Sequence, residues 1–386
     1  MRKNKVFVGL SGGVDSSVAA LLLQKQGYNV TGVFMRCLNL DGCAEKDAED
    51  ARRVASHLGI PFYVFDFEEE YKKRVVEYMI EGYKNGSTPN PDVMCNKEIK
   101  FDLFLREALK MGANFIATGH YVKLSTNNES NTNKRIKKFS IRKFVNSKKI
   151  WYSLMSARDS AKDQSYFLWT LTQNQLKHCL FPIGDYLKPK VREIARKAGL
   201  PTADKKDSQG ICFLGSITLE DFLKEYIPQK PGNIVNTEGK ILGTHNGIYY
   251  YTIGQRHGLD LREKNKKLRV TNSPKTKPHY ITAKDLKTNT ITVAEGDENP
   301  TLYRKELILT NVHFINPKTE TKLSTLNFQL LTRIRYRQPL VLATLHKLST
   351  LNFQLIFESP QKAIASGQSA VFYSKQGELL GGGIIL

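Results

Sequence analysis

The sequence predicts an α/β protein with a parallel N-terminal sheet, a small mixed central domain and a C-terminal antiparallel β-barrel. Over roughly the first 120 residues, apolar strand-like runs alternate with helical patterns, which is typical of a parallel sheet with right-handed crossovers. After Ser216, turn signals separate short apolar runs. Beyond residue 277 the runs alternate and are rich in Val, Ile, Leu, Tyr and Phe, which predicts an all-β barrel or sandwich.

We place the domain boundaries where these patterns change. At 386 residues the chain is long enough for two or three domains. We expect an N-terminal domain over residues 1–215, a small central domain with a linker over 216–277, and the β-barrel over 278–386. Arg262–Lys277 is basic and polar, and we interpret it as the linker.

The first strand–turn–helix unit organises the N-terminal domain. Val6–Leu10 is an apolar run long enough for one buried strand, and Val18–Gln26 has a helical pattern that ends before Gly27. Between them lies the turn Ser11–Ser17, with the sequence SGGVDSS. The further strands and helices expected in this domain are Tyr28–Arg36, Asp47–Leu58, Phe62–Phe67, Glu68–Gly82, Phe101–Lys110 and Asn114–Thr118.

The glycine-rich turn predicts a phosphate site. Gly12 and Gly13 let the backbone approach a ligand closely, and the N–H groups of a helix N-terminus attract anions. The serines can add hydroxyl donors, and Asp15 could hold a magnesium ion. The turn lacks the lysine of a G-x-x-x-x-G-K-[ST] loop and the spacing of G-x-G-x-x-G. The alternative is an ordinary Ser/Gly turn that caps a helix.

The expected parallel sheet places further residues near this turn. Ligands of such sheets bind beyond the carboxyl ends of the strands, so Ser11–Ser17, Met35 and Gly119 should surround one crevice. His120 follows Gly119 directly and would lie at the same edge. The alternative for His120 is a structural histidine after a strand.

Ser87–Phe101 carries a carboxylate and a thiol three residues apart, Asp92 and Cys95. Two X-Pro pairs disfavour a helix in its first half. We therefore expect a loop that projects from the same sheet edge. The alternative is a surface turn with an incidental thiol.

The cysteine spacing argues against a metal centre. Five cysteines are present and no C-x-x-C occurs. Cys212 follows two lysines and lies between Gly210 and Gly215, a flexible and electropositive setting that favours the thiolate. The alternative is a buried cysteine in an apolar run. We interpret Cys37, Cys43 and Cys179 as structural.

The chain is strongly basic. It has 58 Lys and Arg against 37 Asp and Glu, a net charge of +21, which suits a polyanionic partner such as nucleic acid. A lysine-rich genome would produce the same excess without such a partner. Within an insertion at about 124–149, Lys134–Lys149 has eight basic residues and no acidic one. We expect a solvated hairpin or a partly disordered insertion there, with an RNA-contacting arm as the alternative.

An alternating row of arginines occurs in the predicted barrel. If Arg333, Arg335 and Arg337 lie on one strand, their guanidinium groups share one face and could contact phosphates. The alternative is a solvated outer face.

No segment is continuously apolar for 18 residues, and the basic N-terminal residues run directly into the first strand. We therefore expect neither a membrane span nor a signal peptide. Together with the cysteine usage, this predicts a reducing, cytoplasmic location.

Several motifs match one protein family in the same order. They are SGGVDSS, NPDVMCNKEIKF, ATGHYV, KDQSYFL, KDSQGICFLG, GQRHGL, RYRQP and GQSAVFY. In these motifs the chain resembles the tRNA-specific 2-thiouridylases of the bacterial MnmA type, which are PP-loop N-type ATP pyrophosphatases. The resemblance runs from Val6 to Ile384. The insertion is longer than usual, and the stretch after Met35 lacks the tryptophan and acidic run common in the family.

The resemblance implies a Rossmann-like PP-loop domain that uses ATP and Mg²⁺, followed by an RNA-contacting barrel. The implied ATP-binding residues are Gly9, Leu10, Ser11, Gly12, Gly13, Val14, Asp15, Ser16, Met35 and Gly119. The implied tRNA-binding residues are Asn90, Pro91, Asp92, His120, Lys162, Asp163, Gln164, Arg335, Tyr336 and Gln368.

The resemblance also implies the reaction, ATP-dependent 2-thiolation of the wobble uridine (position 34) in tRNAs for Lys, Glu and Gln. Adenylylation of the C2 oxygen releases pyrophosphate, and Cys212 carries persulfide sulfur from a donor such as a cysteine desulfurase or relay protein. Cys95 then forms a transient disulfide with Cys212, and Asp92 acts as general acid or base. The alternatives are a PP-loop ligase or amidotransferase acting on a small molecule, and a non-catalytic RNA-binding protein.

Overall fold

The computed structural model describes residues 4–38, 40, 42–127, 150–207, 214–215, 217–263, 266–267, 277–317, 319 and 328–386. Cys212 and residues 128–149 of the basic insertion lie outside the described residues. The pairing of Cys95 with Cys212 therefore stays a prediction. None of the helices described is long and apolar enough to cross a membrane.

Strands and helices alternate in the N-terminal domain, as the sequence predicts. Its elements are β1 (Lys5–Gly9), α1 (Val14–Lys25), β2 (Asn29–Arg36), α2 (Cys43–Leu58), β3 (Phe62–Asp66), α3 (Glu68–Tyr71), a π-helical segment (Lys72–Val76), α4 (Glu77–Lys84), α5 (Pro91–Met94), a second π-helical segment (Cys95–Leu103), α6 (Phe104–Lys110), β4 (Phe115–Ala117), β5 (Val122–Thr126), β6 (Tyr152–Ser156), a 3₁₀ turn (Ser165–Leu168), α7 (Gln173–Leu176), β7 (Cys179–Leu180) and α8 (Lys188–Lys197).

A parallel sheet of five described strands, in the order β3-β2-β1-β4-β7, forms the centre of this domain. β1 lies in the middle, where Val6 pairs with Val30 on one side and with Phe115 on the other. Phe7 packs into the apolar cluster on one face of the sheet, and Val6 and Val8 pack into the cluster on the opposite face. Burial on both faces explains why β1 is a continuous apolar run rather than an alternating one.

The segment that carries Asp92 and Cys95 is helical, so the prediction of a loop over Ser87–Phe101 is wrong. Pro91 is the first residue of α5, a position where its missing N–H costs nothing. Asn90 caps the helix, because its side-chain oxygen accepts a hydrogen bond of 3.2 Å from the backbone N–H of Val93. The prolines thus mark the start of a helix, which continues through Cys95 into α6.

The central domain is a mixed sheet with one short helix. Its elements are α9 (Leu219–Lys224), β8 (Gly232–Asn236), β9 (Ile241–His245), a 3₁₀ turn (Ile248–Tyr250), β10 (Asp260–Glu263), β11 (Lys266–Lys267), β12 (His279–Asp285) and β13 (Thr290–Glu295). The described strands lie in the order β11-β10-β9-β8-β13-β12.

The expected boundary between residues 277 and 278 does not match this sheet. The sequence pattern predicts that the runs forming β12 and β13 belong to the barrel, but β13 pairs in parallel with β8, with Thr290 opposite Asn233. The central domain therefore extends to Glu295. An apolar alternating run identifies a strand, but it does not identify the sheet in which that strand pairs.

The C-terminal domain is a closed antiparallel barrel. It comprises a 3₁₀ turn (Pro300–Leu302), β14 (Tyr303–Phe314), β15 (Phe328–Arg333), β16 (Val341–Lys347), β17 (Phe353–Lys362), β18 (Ser369–Tyr373) and β19 (Glu378–Ile385). These strands follow the order β14-β17-β16-β15-β18-β19, and pairing of β14 with β19 closes the barrel. The hairpin β5–β6 of the N-terminal domain extends the same sheet, because Leu379 on β19 pairs with Leu154 on β6.

Candidate active site

The predicted phosphate turn links β1 to α1 at the carboxyl edge of the parallel sheet. The hydroxyl groups of Ser16 and Ser17 donate hydrogen bonds to the carbonyl of Gly13 (3.1 and 2.7 Å), and the backbone N–H of Ser11 donates to Ser16 Oγ (3.1 Å). Gly12 has a φ of +70°, and a side chain there would collide with the backbone carbonyl of Asp47. The turn is therefore a tightly held structure that requires glycine.

Met35 and Gly119 lie beside this turn, as expected for residues at the carboxyl ends of parallel strands. The Cε atom of Met35 is 3.0 Å from the position that a Cβ atom on Gly9 would occupy. The corresponding Cβ position on Gly119 is only 2.6 Å from the backbone nitrogen of Ser16. The structure thus brings Met35 and Gly119 next to the turn residues that are predicted to bind ATP. ATP binding itself stays a prediction.

Asp15 takes part in a charged network on the first turn of α1. Its carboxylate accepts hydrogen bonds from the Tyr121 hydroxyl (2.9 Å) and from Lys188 Nζ (2.8 Å). Burial and the Asp15 carboxylate raise the pKa of Tyr121, so the hydroxyl stays protonated and donates. Lys188 Nζ also lies 2.8 Å from Asp207 Oδ1.

Asp207 lies five positions before Cys212 in the sequence. It accepts hydrogen bonds from Lys162 Nζ (2.6 Å) and Arg192 Nη2 (2.7 Å) in addition to its ion pair with Lys188. Burial alone would raise the pKa of Asp207, but the hydrogen bonds from Lys162 and Lys188 lower it to about 2. Asp207 is therefore ionised at neutral pH.

The positive charge of Lys100 acts on both Asp92 and His120. Burial raises the pKa of Asp92, and the positive charge of Lys100 opposes this effect. Burial, followed by repulsion from Lys100, lowers the pKa of His120 well below its usual value. At neutral pH His120 is thus an uncharged imidazole, and Asp92 is the carboxyl group whose proton affinity is raised, as a general acid or base requires.

Cys95 and His120 occupy a largely apolar environment. Cys95 lies one turn after Asp92 on the same helix, and only 3% of its surface is exposed. The ring of His120 is 5.8 Å from that of Phe101, and its Nδ1 atom is 2.8 Å from the hydroxyl of Thr118. Cys95 is the first residue of a π-helical segment, and π-helical turns are frequent at functional sites.

The predicted tRNA-binding run Lys162-Asp163-Gln164 contacts other parts of the protein. Asp163 is buried and accepts hydrogen bonds from the backbone N–H groups of Ala157 and Ser165 (3.1 and 3.2 Å). Gln164 accepts a hydrogen bond from the backbone N–H of Tyr121 (3.0 Å) through its side chain. This run therefore fixes the loop around Tyr121 at the site; direct contact with RNA stays a prediction.

The predicted row of three arginines on one strand face is wrong. β15 ends at Arg333, whose guanidinium is buried 3.3 Å from Asp163, and Arg337 lies in the following turn with a φ of +65°. The side chain of Gln338 accepts a hydrogen bond of 2.9 Å from the backbone N–H of Ile334, which ends the strand. The alternation of arginines in the sequence therefore does not reflect a strand.

Arg335, Tyr336 and Gln368 are predicted to bind tRNA, and in the structure they connect the domains. Arg335 Nη2 donates to the carbonyls of Ile253 (2.9 Å) and Ala363 (2.7 Å). The ring of Tyr336 is 4.6 Å from that of Phe167. These contacts hold the turn after β15 against the central domain and the N-terminal domain.

Three domain families match the chain in succession. They are the tRNA methyl transferase HUP domain over residues 4–216, the tRNA methyl transferase PRC-barrel domain over 220–295 and the aminomethyltransferase beta-barrel domain over 304–385. The tRNA-specific 2-thiouridylase MnmA 1 of Geobacillus kaustophilus is 43% identical over 378 residues, which is 97% of this chain and 93% of the relative. The chain belongs to the MnmA family of tRNA-specific 2-thiouridylases.

A second relative, the tRNA-specific 2-thiouridylase MnmA of Alkaliphilus oremlandii, is 42% identical over 381 residues, covering 96% of this chain and 94% of its own. A solved 4-thiouridine synthetase–RNA complex with bound ATP covers 58% of this chain and 50% of its own, with a TM-score of 0.33 and 16% identity. The MnmA family and the three-part fold predicted from the sequence are both confirmed. The match to the central family model ends at residue 295, where β13 ends.

Sequence reasoning missed the network of Lys188, Tyr121 and Asp207. These residues come from three separate parts of the chain of this MnmA-family protein, and nothing local distinguishes their types from surface lysines, core tyrosines or loop aspartates. The Lys188-Pro189 pair at the start of α8 was the available signal for a helix start. It indicates a helix N-terminus but not the contact with Asp15.

Proposed function

We propose that this protein thiolates carbon 2 of the wobble uridine in tRNA, using ATP to activate the base and a cysteine persulfide as the sulfur source. Membership of the MnmA family supports the activity. The observation that carries the mechanism is the position of Gly119 and His120. Gly119 abuts Ser16 in the phosphate turn, and the charge of Lys100 acts on both the adjacent His120 and Asp92. An activated base could therefore lie between the phosphate turn and Asp92.

ATP fits the phosphate turn through the N-terminus of α1 and the adjacent glycines. Among the described residues, no group of three or more His, Cys, Asp or Glu side chains could hold a metal ion. Mg²⁺ nevertheless commonly binds one or two carboxylates together with substrate phosphates and waters, so Asp15 fits as a single protein ligand. Bound there, the ion would neutralise charge on the phosphates.

The sulfur transfer follows from nucleophilic chemistry at C2. The terminal sulfur of a persulfide on Cys212 attacks C2, and the C2–O bond breaks to release AMP. The Cys95 thiolate then attacks the Cys212 sulfur, the S–S bond to the uridine sulfur breaks, and 2-thiouridine leaves. The resulting Cys95–Cys212 disulfide requires an external dithiol reductant. Alternatively, Cys95 attacks the persulfide first and releases hydrosulfide close to C2. Asp92 serves as general acid or base in either case.

The tRNA substrates and the sulfur donor are proposed from the family to which the chain belongs. We propose tRNAs for Lys, Glu and Gln as substrates and a cysteine desulfurase or relay protein as the donor of sulfane sulfur. The net charge of +21 supports binding to a polyanion. The cytoplasm, where mature tRNA is found, is the location that this proposal requires.

The proposal is tested by incubating the protein with unmodified tRNA, ATP, Mg²⁺ and a persulfide donor, and by measuring 2-thiouridine. The variants Cys95→Ser and Cys212→Ser should form less than about one per cent of the wild-type product, since each lacks a nucleophile. Cys179→Ser is the matched control, because Cys179 lies on β7, its Sγ donates a hydrogen bond of 3.2 Å to the carbonyl of Gln175, and no step of the proposed reaction uses it. Thiolation by both variants at the wild-type rate would overturn the mechanism. ATP–pyrophosphate exchange that is complete without RNA would favour a ligase acting on a small molecule.

A further inference from the structure

A cavity lies where the three domains meet. Its volume is about 550 Å³, and its wall includes Gly86 after α4, Ile253 and Lys284 from the central domain, and Arg304 from the barrel. Gly86 packs so closely against the central domain that a Cβ atom there would lie 2.7 Å from Leu286 Cδ1. The cavity is thus a feature of the domain junction, and these residues take no part in the candidate active site.

The wall of this cavity contains an amine that is partly uncharged near neutral pH. Lys284 lies on β12, and its Nζ donates a hydrogen bond of 2.8 Å to the carbonyl of Tyr251. In the described part of the chain no carboxylate pairs with this side chain, and burial lowers its pKa to about 8. At pH 8 about half of the Lys284 side chains are therefore uncharged, against less than about one per cent of ordinary exposed lysines.

The hydrogen bond to Tyr251 leaves the Lys284 amine able to act as a nucleophile. An uncharged amine that donates one N–H to a carbonyl keeps its lone pair free. The other charged side chains in the described wall are those of Arg304 and Glu306, and Glu306 accepts a hydrogen bond of 2.9 Å from Gln354. The Arg304 guanidinium can attract an anionic electrophile to the cavity.

The environment of Lys284 also suits the product of acylation. An acylated lysine has one remaining N–H, which can keep the hydrogen bond to the carbonyl of Tyr251. Acylation removes a positive charge that is costly to bury without a partner. Ile253, Leu307 and Ile364 supply apolar surface for a short acyl chain.

We propose that Lys284 is an acylation site that takes a short-chain acyl group from an acyl phosphate. The Nζ lone pair attacks the acyl carbon, the bond between that carbon and the phosphate oxygen breaks, and inorganic phosphate leaves with the proton that Nζ loses. No oxidant or reductant takes part. The modification goes beyond the proposed thiolation and does not depend on it.

Incubation of the full-length protein with acetyl phosphate at pH 8 tests this assignment, with peptide mass mapping of each lysine over time. Lys284 should be acetylated at least about tenfold faster than Lys287, because more of its amine is uncharged. Lys287 is the matched control, since it is exposed and lies three residues further along the chain. In urea-unfolded protein the two rates should become equal. Acetylation of Lys284 at or below the rate of Lys287 in the folded protein, or a preference that persists in urea, would overturn the proposal.

Thermal denaturation at pH 7 tests whether the cavity holds the product. Lys284→acetyllysine should unfold at a higher temperature than Lys284→Met, because methionine leaves the carbonyl of Tyr251 without its donor. Lys287→acetyllysine is the control and should unfold as wild type does. An unfolding temperature of Lys284→acetyllysine at or below that of Lys284→Met would show that the acyl group does not fit, and would overturn the proposal.

Discussion

The side-chain amide of Gln368 donates a hydrogen bond of 2.7 Å to the backbone carbonyl of Thr88, which lies 280 positions earlier in the chain. The backbone N–H of Thr88 donates to the carbonyl of Ser366 (2.7 Å), and its hydroxyl donates to Thr252 Oγ1 (3.2 Å). All three domains therefore meet at Thr88, two residues before the Asn90 cap. The helix that carries Asp92 and Cys95 is held in place by the central domain and the barrel.

Gln368→Ala should destabilise the protein by about 1 kcal/mol and lower the rate of thiolation, since a part-buried hydrogen bond is lost and the start of the helix is released. Thermal denaturation and single-turnover assays measure the two effects. A loss confined to tRNA affinity would instead support direct RNA contact. Gln376→Ala, at an exposed position of the same barrel, is the control and should behave as wild type.

Asn90→Ala should cost about 1 kcal/mol of stability, because the backbone N–H of Val93 loses its capping partner. Asn90→Ser retains a capping oxygen and should recover most of that loss. Urea denaturation of both variants provides the measurement. Equal stability of the alanine and serine variants would show that the cap does not stabilise this helix.

Asp92→Asn should lower the single-turnover rate of thiolation by about 10²-fold or more, because the general acid or base is lost. If Asp92 acts as a base, the wild-type rate should rise with pH through its raised pKa, and the variant should lose this dependence. Asp102→Asn, on the same helix but paired with Arg74, is the control. A pH profile shared by wild type and Asp92→Asn would exclude Asp92 as the titrating group.

The same substitution should change how stability depends on pH. Burial raises the pKa of Asp92 in the folded protein, so the folded state holds its proton to a higher pH than the unfolded chain does. Stability from this group is therefore lost as pH rises through the folded pKa. As the pH rises from about 4, the ordinary pKa of an aspartate, the wild type should lose more unfolding free energy than Asp92→Asn does. Parallel stability curves would contradict the burial of this carboxyl.

Lys284 should change the pH dependence of stability in the opposite direction. Burial lowers its pKa from 10.5 to about 8, and its Nζ donates a hydrogen bond of 2.8 Å to the carbonyl of Tyr251. Between these two pH values the unfolded chain binds more protons, so stability from this group rises with pH. The unfolding free energy of wild type should therefore increase relative to Lys284→Met from pH 8 to pH 10, with exposed Lys287→Met as the control. A constant difference would contradict the lowered pKa.

The sequence could predict those parts of the fold whose signals are local. The apolar run of β1, the glycines of the turn and the helical pattern of α1 are adjacent, and a buried central strand must be apolar on both faces. The placement of Met35 and Gly119 beside the turn followed from one rule about the edges of parallel sheets.

Features that depend on distant partners could not be predicted in this way. The prolines near Asp92 by themselves predict a break in the helix, but with Asn90 as the N-cap, Pro91 is the first residue of a helix. The parallel pairing of β13 with β8 and the contact of Lys188 with Asp15 each join residues more than fifty positions apart. Such pairings depend on three-dimensional packing, which no single window of sequence contains.

The pairing of β19 with β6 has a consequence for how the chain is made. Leu154 on β6 pairs with Leu379 on β19, which is synthesised 225 residues later. This edge of the β5–β6 hairpin therefore stays uncovered during most of translation. Until then the nascent chain exposes an unpaired strand edge, which favours association with other chains. This edge of the β5–β6 hairpin is therefore open to pairing with other chains until translation is nearly complete.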